Sequence, residues 1–179
     1  MLILGNALTE LQKLEAESID CCITSPPYYA LRDYKVEGQL GLEKTFQEYL
    51  DKLIQIFNQV KRVLKKSGTC WVVMGDTYAG GGGFSSMENA VKSMVGSTKK
   101  GVQRSPKNFG LRLPVPDKSL TMIPSRFAIA MIDAGWILRN DIIWYKPNCM
   151  PSSAKDRFTV DYEHIFFFVK SKQYTFKTQ

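Results

Sequence analysis

The side chains with the most chemistry to offer fall in one short run, Thr24-Ser25-Pro26-Pro27-Tyr28, followed at once by a second aromatic, Tyr29. A hydroxyl, a carbonyl and an aromatic ring stand within four residues. Proline fixes φ and brings no N–H of its own, so the Pro26 carbonyl is held without a competing donor. Ser25 Oγ and that carbonyl can accept the two N–H bonds of one amino group, while Tyr28 offers a flat surface to the ring that carries it. The plainer alternative is that two prolines after a strand make a stiff turn and nothing more. Position favours the first reading. The run directly follows the apolar stretch Ser18 to Thr24, and in an open α/β sheet ligands collect beyond the carboxyl ends of the strands.

Other chemistry is thinly represented. Cys21, Cys22, Cys70 and Cys149 show no C-x-x-C spacing, and His164 is the one histidine. A structural zinc site takes about four such ligands at paired spacings, so no metal is expected. The cysteines read as small buried hydrophobes in a reducing cytoplasm. His164, between Glu163 and an apolar run, reads as structural, and Asp76, at a strand end, as a turn or helix cap. Trp71, Trp136 and Trp144 fit a core. Lys146, Lys155 and Arg157 either bind phosphate or stand in solvent.

The elements that must position the proline run can be read from periodicity. Leu2-Ile3-Leu4 reads as a strand ending at Gly5-Asn6, and Leu8, Leu11 and Leu14 mark a short helix from Ala7. Ser18 to Thr24 is a strand. Thr45-Phe46-Gln47-Glu48 is a capping box ahead of a helix through Leu50, Leu53, Phe57, Val60 and Leu64, with Gly68 as its stop. Thr69 to Met74 is a strand ending at Gly75-Asp76. Pro124 opens a helix closed by Gly135, and Leu138 to Tyr145 and His164 to Val169 are strands. Alternation of strand and helix implies an α/β, doubly wound, mostly parallel sheet. The last two strands, with no helix between them, imply an antiparallel strand at one edge.

The chain has 179 residues, 44% hydrophobic and 23% charged, which fits one globular domain and excludes wholesale disorder. No apolar run approaches the 18 or so residues of a membrane span, and the N-terminus lacks the charged and apolar regions of a secretory signal. The net charge is +7, and most of the excess falls between Lys92 and Lys118. There Lys92, Lys99, Lys100, Arg104, Lys107, Arg112 and Lys118 face a single acid, Asp117. This stretch is rich in Gly and Pro and follows Gly80-Gly81-Gly82-Gly83, so it reads as a basic loop over about 79–120. It is either a solvated insertion or a segment that closes on a polyanion.

Taken in order, these motifs resemble the amino-group DNA methyltransferases, whose S/D/N-P-P-Y/F/W tetrapeptide grips an exocyclic amine. Gly5-Asn6-Ala7 resembles the turn that precedes the tetrapeptide in the circularly permuted β-type members. Gly75-Asp76-Thr77-Tyr78, the run Asp141 to Asn148 and the run Tyr162 to Ser171 follow in family order. The resemblance implies a Rossmann-like methyltransferase fold and S-adenosyl-methionine as methyl donor. It implies catalytic roles for Ser25, Pro26, Pro27 and Tyr28, and cofactor contacts at Asn6, Ala7, Thr24 and Ser25. Double-stranded DNA would be met by Tyr29, Lys99, Lys100, Arg104, Lys107, Lys155 and Arg157, with the target base flipped out of the helix. Serine at position 25 is typical of cytosine-N4 enzymes and aspartate of adenine-N6 enzymes, so N4 of cytosine is the expected target.

The family's F-x-G-x-G cofactor motif does not occur, since Gly80 to Gly83 precede Phe84 in the wrong order. The resemblance therefore implies the N-terminal catalytic part of a longer enzyme, with target recognition and the cofactor turn supplied by a missing C-terminal segment, a second chain or a second copy. An inactive DNA-binding remnant, half of a split enzyme and an RNA-base methyltransferase are the alternatives. The expected location is the cytoplasm, at the nucleoid through DNA. If the basic loop grips DNA, neutralising Lys99, Lys100 and Arg104 flattens the slope of log affinity against log salt by about 2 to 3. An unchanged slope in a salt series of binding isotherms would make the loop a plain insertion.

Overall fold

A computed structural model of the protein describes residues 2–79, 115–152 and 154–177. Lys99, Lys100, Arg104 and Lys107 lie outside these residues. The elements, in chain order, are α1 (Ala7–Lys13), β1 (Ile19–Thr24), α2 (Phe46–Val63), β2 (Leu64–Met74), α3 (Ile123–Asp133), β3 (Ile137–Tyr145) and β4 (Tyr162–Val169). No helix among the described residues is long and apolar enough to cross a membrane.

The capping box forms with one of its two bonds displaced, from the N–H of the cap residue Thr45 to that of Lys44 before it. Thr45 accepts from the Glu48 N–H at 3.1 Å, and Glu48 reaches back to the Lys44 N–H at 3.0 Å. From there Phe46, Tyr49, Leu50, Leu53, Phe57, Val60 and Val63 form one buried stripe on α2. That stripe meets α3, with Phe57 and Phe127 rings 5.1 Å apart, and both helices cover Cys70, Val72, Met74, Phe166 and Phe168 of the sheet. On the opposite face Trp71 stacks on its cross-strand partner Phe167, centroids 4.1 Å apart, and Phe176 lies against Phe167.

The sheet order is β1-β2-β4-β3, with β1 and β2 parallel and both pairs involving β4 antiparallel. The expected hairpin at one edge is present. Its reversed strand, however, is not the outermost one: β4 inserts between β2 and β3. The reason lies in the two strands. Phe166, Phe167, Phe168 and Val169 are all buried, as a strand flanked on both sides requires, whereas β3 exposes Asn140 to Tyr145. Trp144, expected in a core, is accordingly 50% exposed.

Three further expectations are corrected. Leu2-Ile3-Leu4 forms no strand: it pairs with nothing among the described residues, and Leu2 and Leu4 are each 97% exposed. Gly68 does not stop a helix. The chain passes from Val63 straight into β2, because Leu64 is buried and pairs with Ile19, and Gly68 falls in the irregular stretch before Thr69 pairs with Cys21. Of the cysteines, Cys70 is buried in the central strand β2, but Cys21 points to the open face of the edge strand β1 and is exposed.

Asp76 is the cap that its position suggests. The N-cap residue of α3, Met122, offers no side-chain bond. The Asp76 carboxylate supplies the missing acceptors, taking the Thr121 hydroxyl at 2.5 Å, the Met122 N–H at 2.9 Å and the Ile123 N–H at 3.3 Å. Asp76→Ala is expected to lower stability by about 1–2 kcal/mol in urea titrations. A change within error would remove Asp76 from the support of α3.

Candidate active site

Because β1, β2 and β3 run one way and β4 the other, three strand ends and one strand beginning share an edge. Ser25 follows β1, Gly75 follows β2, Lys146 follows β3, and Glu163 lies one residue inside β4. They form a single polar chain. Ser25 Oγ donates to Tyr28 Oη at 3.3 Å, and Tyr28 Oη donates to Glu163 Oε2 at 3.0 Å. The other carboxylate oxygen of Glu163 takes the Lys146 ammonium, which also sits 6.0 Å from the centre of the Trp144 ring.

Gly75 makes room for this. A Cβ there would stand 2.9 Å from Tyr28 Cε2 and 3.4 Å from Glu163 Cγ. Burial pushes the Tyr28 phenol up to about 12, the negative charge of Glu163 adds to the shift, and the bond from Ser25 opposes it. Tyr28 is therefore a protonated donor at any ordinary pH.

Beneath this chain the proline run is anchored from α2. The Tyr49 hydroxyl donates to the Pro27 carbonyl at 2.7 Å. The Pro26 carbonyl receives no hydrogen bond among the described residues. Gly41, at φ +94°, brings its carbonyl to the Ala30 N–H at 2.8 Å. The buried Glu43 carboxylate takes the Gly41 N–H at 2.8 Å and the Lys52 ammonium at 3.0 Å.

The remaining predicted residues scatter. Tyr29, expected to touch DNA, is 1% exposed and packs between Phe46 and Tyr49, its hydroxyl donating to the Glu43 carbonyl. It supports the run from below and cannot meet a polymer. Asn6 caps α1, its Oδ1 accepting from the Leu8 and Thr9 N–H groups, and Ala7 is the first residue of that helix. Thr24 ends β1 beside Ser25. Lys155 is exposed. The Arg157 guanidinium lies 3.9 Å from the centre of the Tyr78 ring, which draws that segment toward the end of β2. Among the described residues no group of three or more His, Cys, Asp or Glu side chains could hold a metal.

Sequence reasoning missed Glu163 altogether. The available signal was the hairpin: once β4 pairs antiparallel with β2, Met74 faces His164, and one step beyond that pair Gly75 comes beside Glu163. His164, expected to be structural for want of an acid-base partner, has one the sequence pattern does not reveal, Asp141 Oδ1 at 2.8 Å, and it stacks on Phe166.

Comparison with known proteins adds three findings. The family profile described as DNA methylase matches residues 19–179. The chain is 43% identical over 178 residues to the Type II methyltransferase M.XycI of Xanthomonas campestris pv. cyanopsidis, covering 98% of this chain and 56% of that protein. It is 40% identical over 177 residues to M.SmaI of Serratia marcescens, again spanning 56% of it. The chain thus spans about half the length of the curated relatives it matches. Among solved structures, PvuII DNA methyltransferase (cytosine-N4-specific) aligns with TM-score 0.59 and 24% identity over 96% of this chain and 49% of that one. TTHA0409 of Thermus thermophilus, solved with S-adenosyl-L-methionine, aligns with TM-score 0.60 and 20% identity over 98% and 55%. These likenesses show the fold, a Rossmann-like α/β sheet.

Tyr28, Tyr29 and Tyr49 all have phenols held above the ordinary 10, in each case chiefly by burial. The folded state keeps their protons more tightly than the unfolded chain, so the stability they lend is complete below pH 10 and is lost as the pH rises toward 12 and beyond. Urea midpoints are expected to fall between pH 10 and 12, and less steeply in Tyr28→Phe. Equal slopes in the two proteins would mean that the Tyr28 phenol has no raised affinity for its proton.

Proposed function

The chain belongs to the N6/N4 DNA methylase family, and on that premise we propose that it forms the amine-binding side of a DNA methyltransferase. One observation carries this reading. At the shared strand edge, Ser25 is exposed and the Pro26 carbonyl has no donor among the described residues, while Tyr28 stands beside them. Two acceptors around one amino group favour a tetrahedral nitrogen with its lone pair localised, which is the nucleophile that methyl transfer requires. An amine inside a duplex cannot reach them, so the base must leave the stack, and the Tyr28 ring is the surface available to receive it, a contact worth about 1–3 kcal/mol. Serine at position 25 supports N4 of cytosine over N6 of adenine. Its hydroxyl is no strong base, which suits loss of the amine proton after the methyl group has arrived.

The family's methyl donor is S-adenosyl-methionine, which supplies an electrophilic methyl group. Of the residues expected to touch it, Asn6 spends its Oδ1 on capping α1. Thr24 and Ser25, at the end of β1, remain to meet it beside the amine.

The test is incubation of the chain with duplex DNA and methyl-labelled S-adenosyl-methionine, followed by digestion to nucleosides. Labelled N4-methylcytosine is the expected product. N6-methyladenine would reassign the base, and absence of label would overturn the reading for this chain. Ser25→Ala is expected to cut turnover by about a hundredfold while leaving DNA affinity within about twofold. Unchanged turnover would remove Ser25 from the mechanism.

A further inference from the structure

We propose that Glu163, held by Lys146, is a positioning residue that fixes Ser25 as a hydrogen-bond acceptor, acting through the hydroxyl of Tyr28. This rests on the reading of Ser25 as one of the two acceptors of the amine.

A serine hydroxyl is ambiguous, with one hydrogen to give and two lone pairs to receive. Left to rotate, it can turn its hydrogen toward the incoming nitrogen and compete for the lone pair that must attack. The chain at the strand edge removes the ambiguity from its far end. An ionised carboxylate only accepts, so the phenol 3.0 Å from Glu163 Oε2 has to donate. Tyr28 Oη has then no hydrogen left for Ser25, so across the 3.3 Å contact Ser25 has to donate in turn. Its hydrogen points away from the open side of the site, and both lone pairs stay free for an amine N–H. The sense of every bond is set by one negative charge.

That charge is expensive to hold where it stands. The Glu163 side chain is 19% exposed, and a carboxylate so far out of water needs a partner. Lys146 supplies it. Its backbone N–H donates to the Asp161 carbonyl at 2.6 Å, which fixes the stem, and its ammonium lies 6.0 Å from the centre of the Trp144 ring. Gly75 is the independent sign that the geometry is built for this arrangement. It lies one step beyond the last β2–β4 pair, Met74 and His164, and a side chain there would press on the phenol ring and touch the carboxylate stem.

Glu163→Gln tests the inference with little change of shape. Glutamine both donates and accepts, so the sense of the chain is no longer fixed. The expected result is a kcat lower by about tenfold or more, with KM for DNA within about twofold. Because Glu163 acts only through the phenol, Glu163→Gln should cost little more in a Tyr28→Phe background. A kcat equal to that of the unaltered chain, or the full loss recurring in Tyr28→Phe, would overturn the proposal. Should Glu163→Gln fail to fold, Tyr28→Phe by itself carries the test, and undiminished kcat would again overturn it.

A readout that needs no turnover separates this inference from the reading beneath it. In protein labelled with 13C at the tyrosine ring carbon that bears the hydroxyl, the Tyr28 phenol should titrate near 12 and lower in Glu163→Gln. If the unaltered chain transfers no methyl group but the titration moves as expected, the proposed function fails and the polar chain stands. If methyl transfer is normal and the titration does not move, the polar chain fails alone.

Discussion

The parallel pairing of β1 with β2 is the constraint on which the rest of the site depends. With Cys22 beside Cys70 and Thr24 beside Val72, both strands must end at the same edge, and Ser25 and Gly75 are delivered there together. β4 completes the edge by running the other way, so that its second residue, rather than its last, arrives opposite Gly75. A single reversal of direction within the sheet therefore brings a carboxylate to a tyrosine 135 residues away in the chain. No loop has to reach across the molecule to do this.

Two acids stand at this edge with separate duties. Asp76 turns toward the start of α3 and satisfies the N–H groups that Met122 leaves without a cap. Glu163 turns toward Tyr28 and Lys146. The first role is legible in the sequence, where an Asp ends a strand; the second is not, although Glu163 is also an acid beside a strand terminus. The backbone around each decides: the N-terminus of a helix presents donors in a row, whereas Gly75 leaves a gap only a flat ring can fill.

Local signals carried most of the fold. The proline run after β1, the capping box at Thr45, the stripe on α2 and the proline that opens α3 are statements about neighbours in sequence, and the structure agrees with each. The features that could not be read locally depend on what lies alongside. An apolar triplet such as Leu2-Ile3-Leu4 becomes a strand only if another strand takes it up. Gly68 marks the end of a helix or a kink in a strand depending on whether Leu64 is buried. Tyr29 and Tyr28 are adjacent and identical, yet packing by Phe46 and Tyr49 takes one into the core, and Glu163 claims the other. The site was legible as far as Tyr28 and no further, because its other half comes from the far end of the chain.

The insertion of β4 between β2 and β3 also sets an order of assembly. β1 and β2 can pair early, and β3 follows α3 closely, but the strand that joins them is made last. Each of its contacts with β2 spans between ninety and a hundred residues of chain. Closing so long a loop is slow, and until it closes β2 presents an unpaired edge carrying Cys70, Val72 and Met74 to whatever is nearby. These four strands are thus joined from the outside inward, with the most aromatic of them paired last. Synthesis leaves the chain exposed to edge-to-edge association until Phe166, Phe167 and Phe168 are in place.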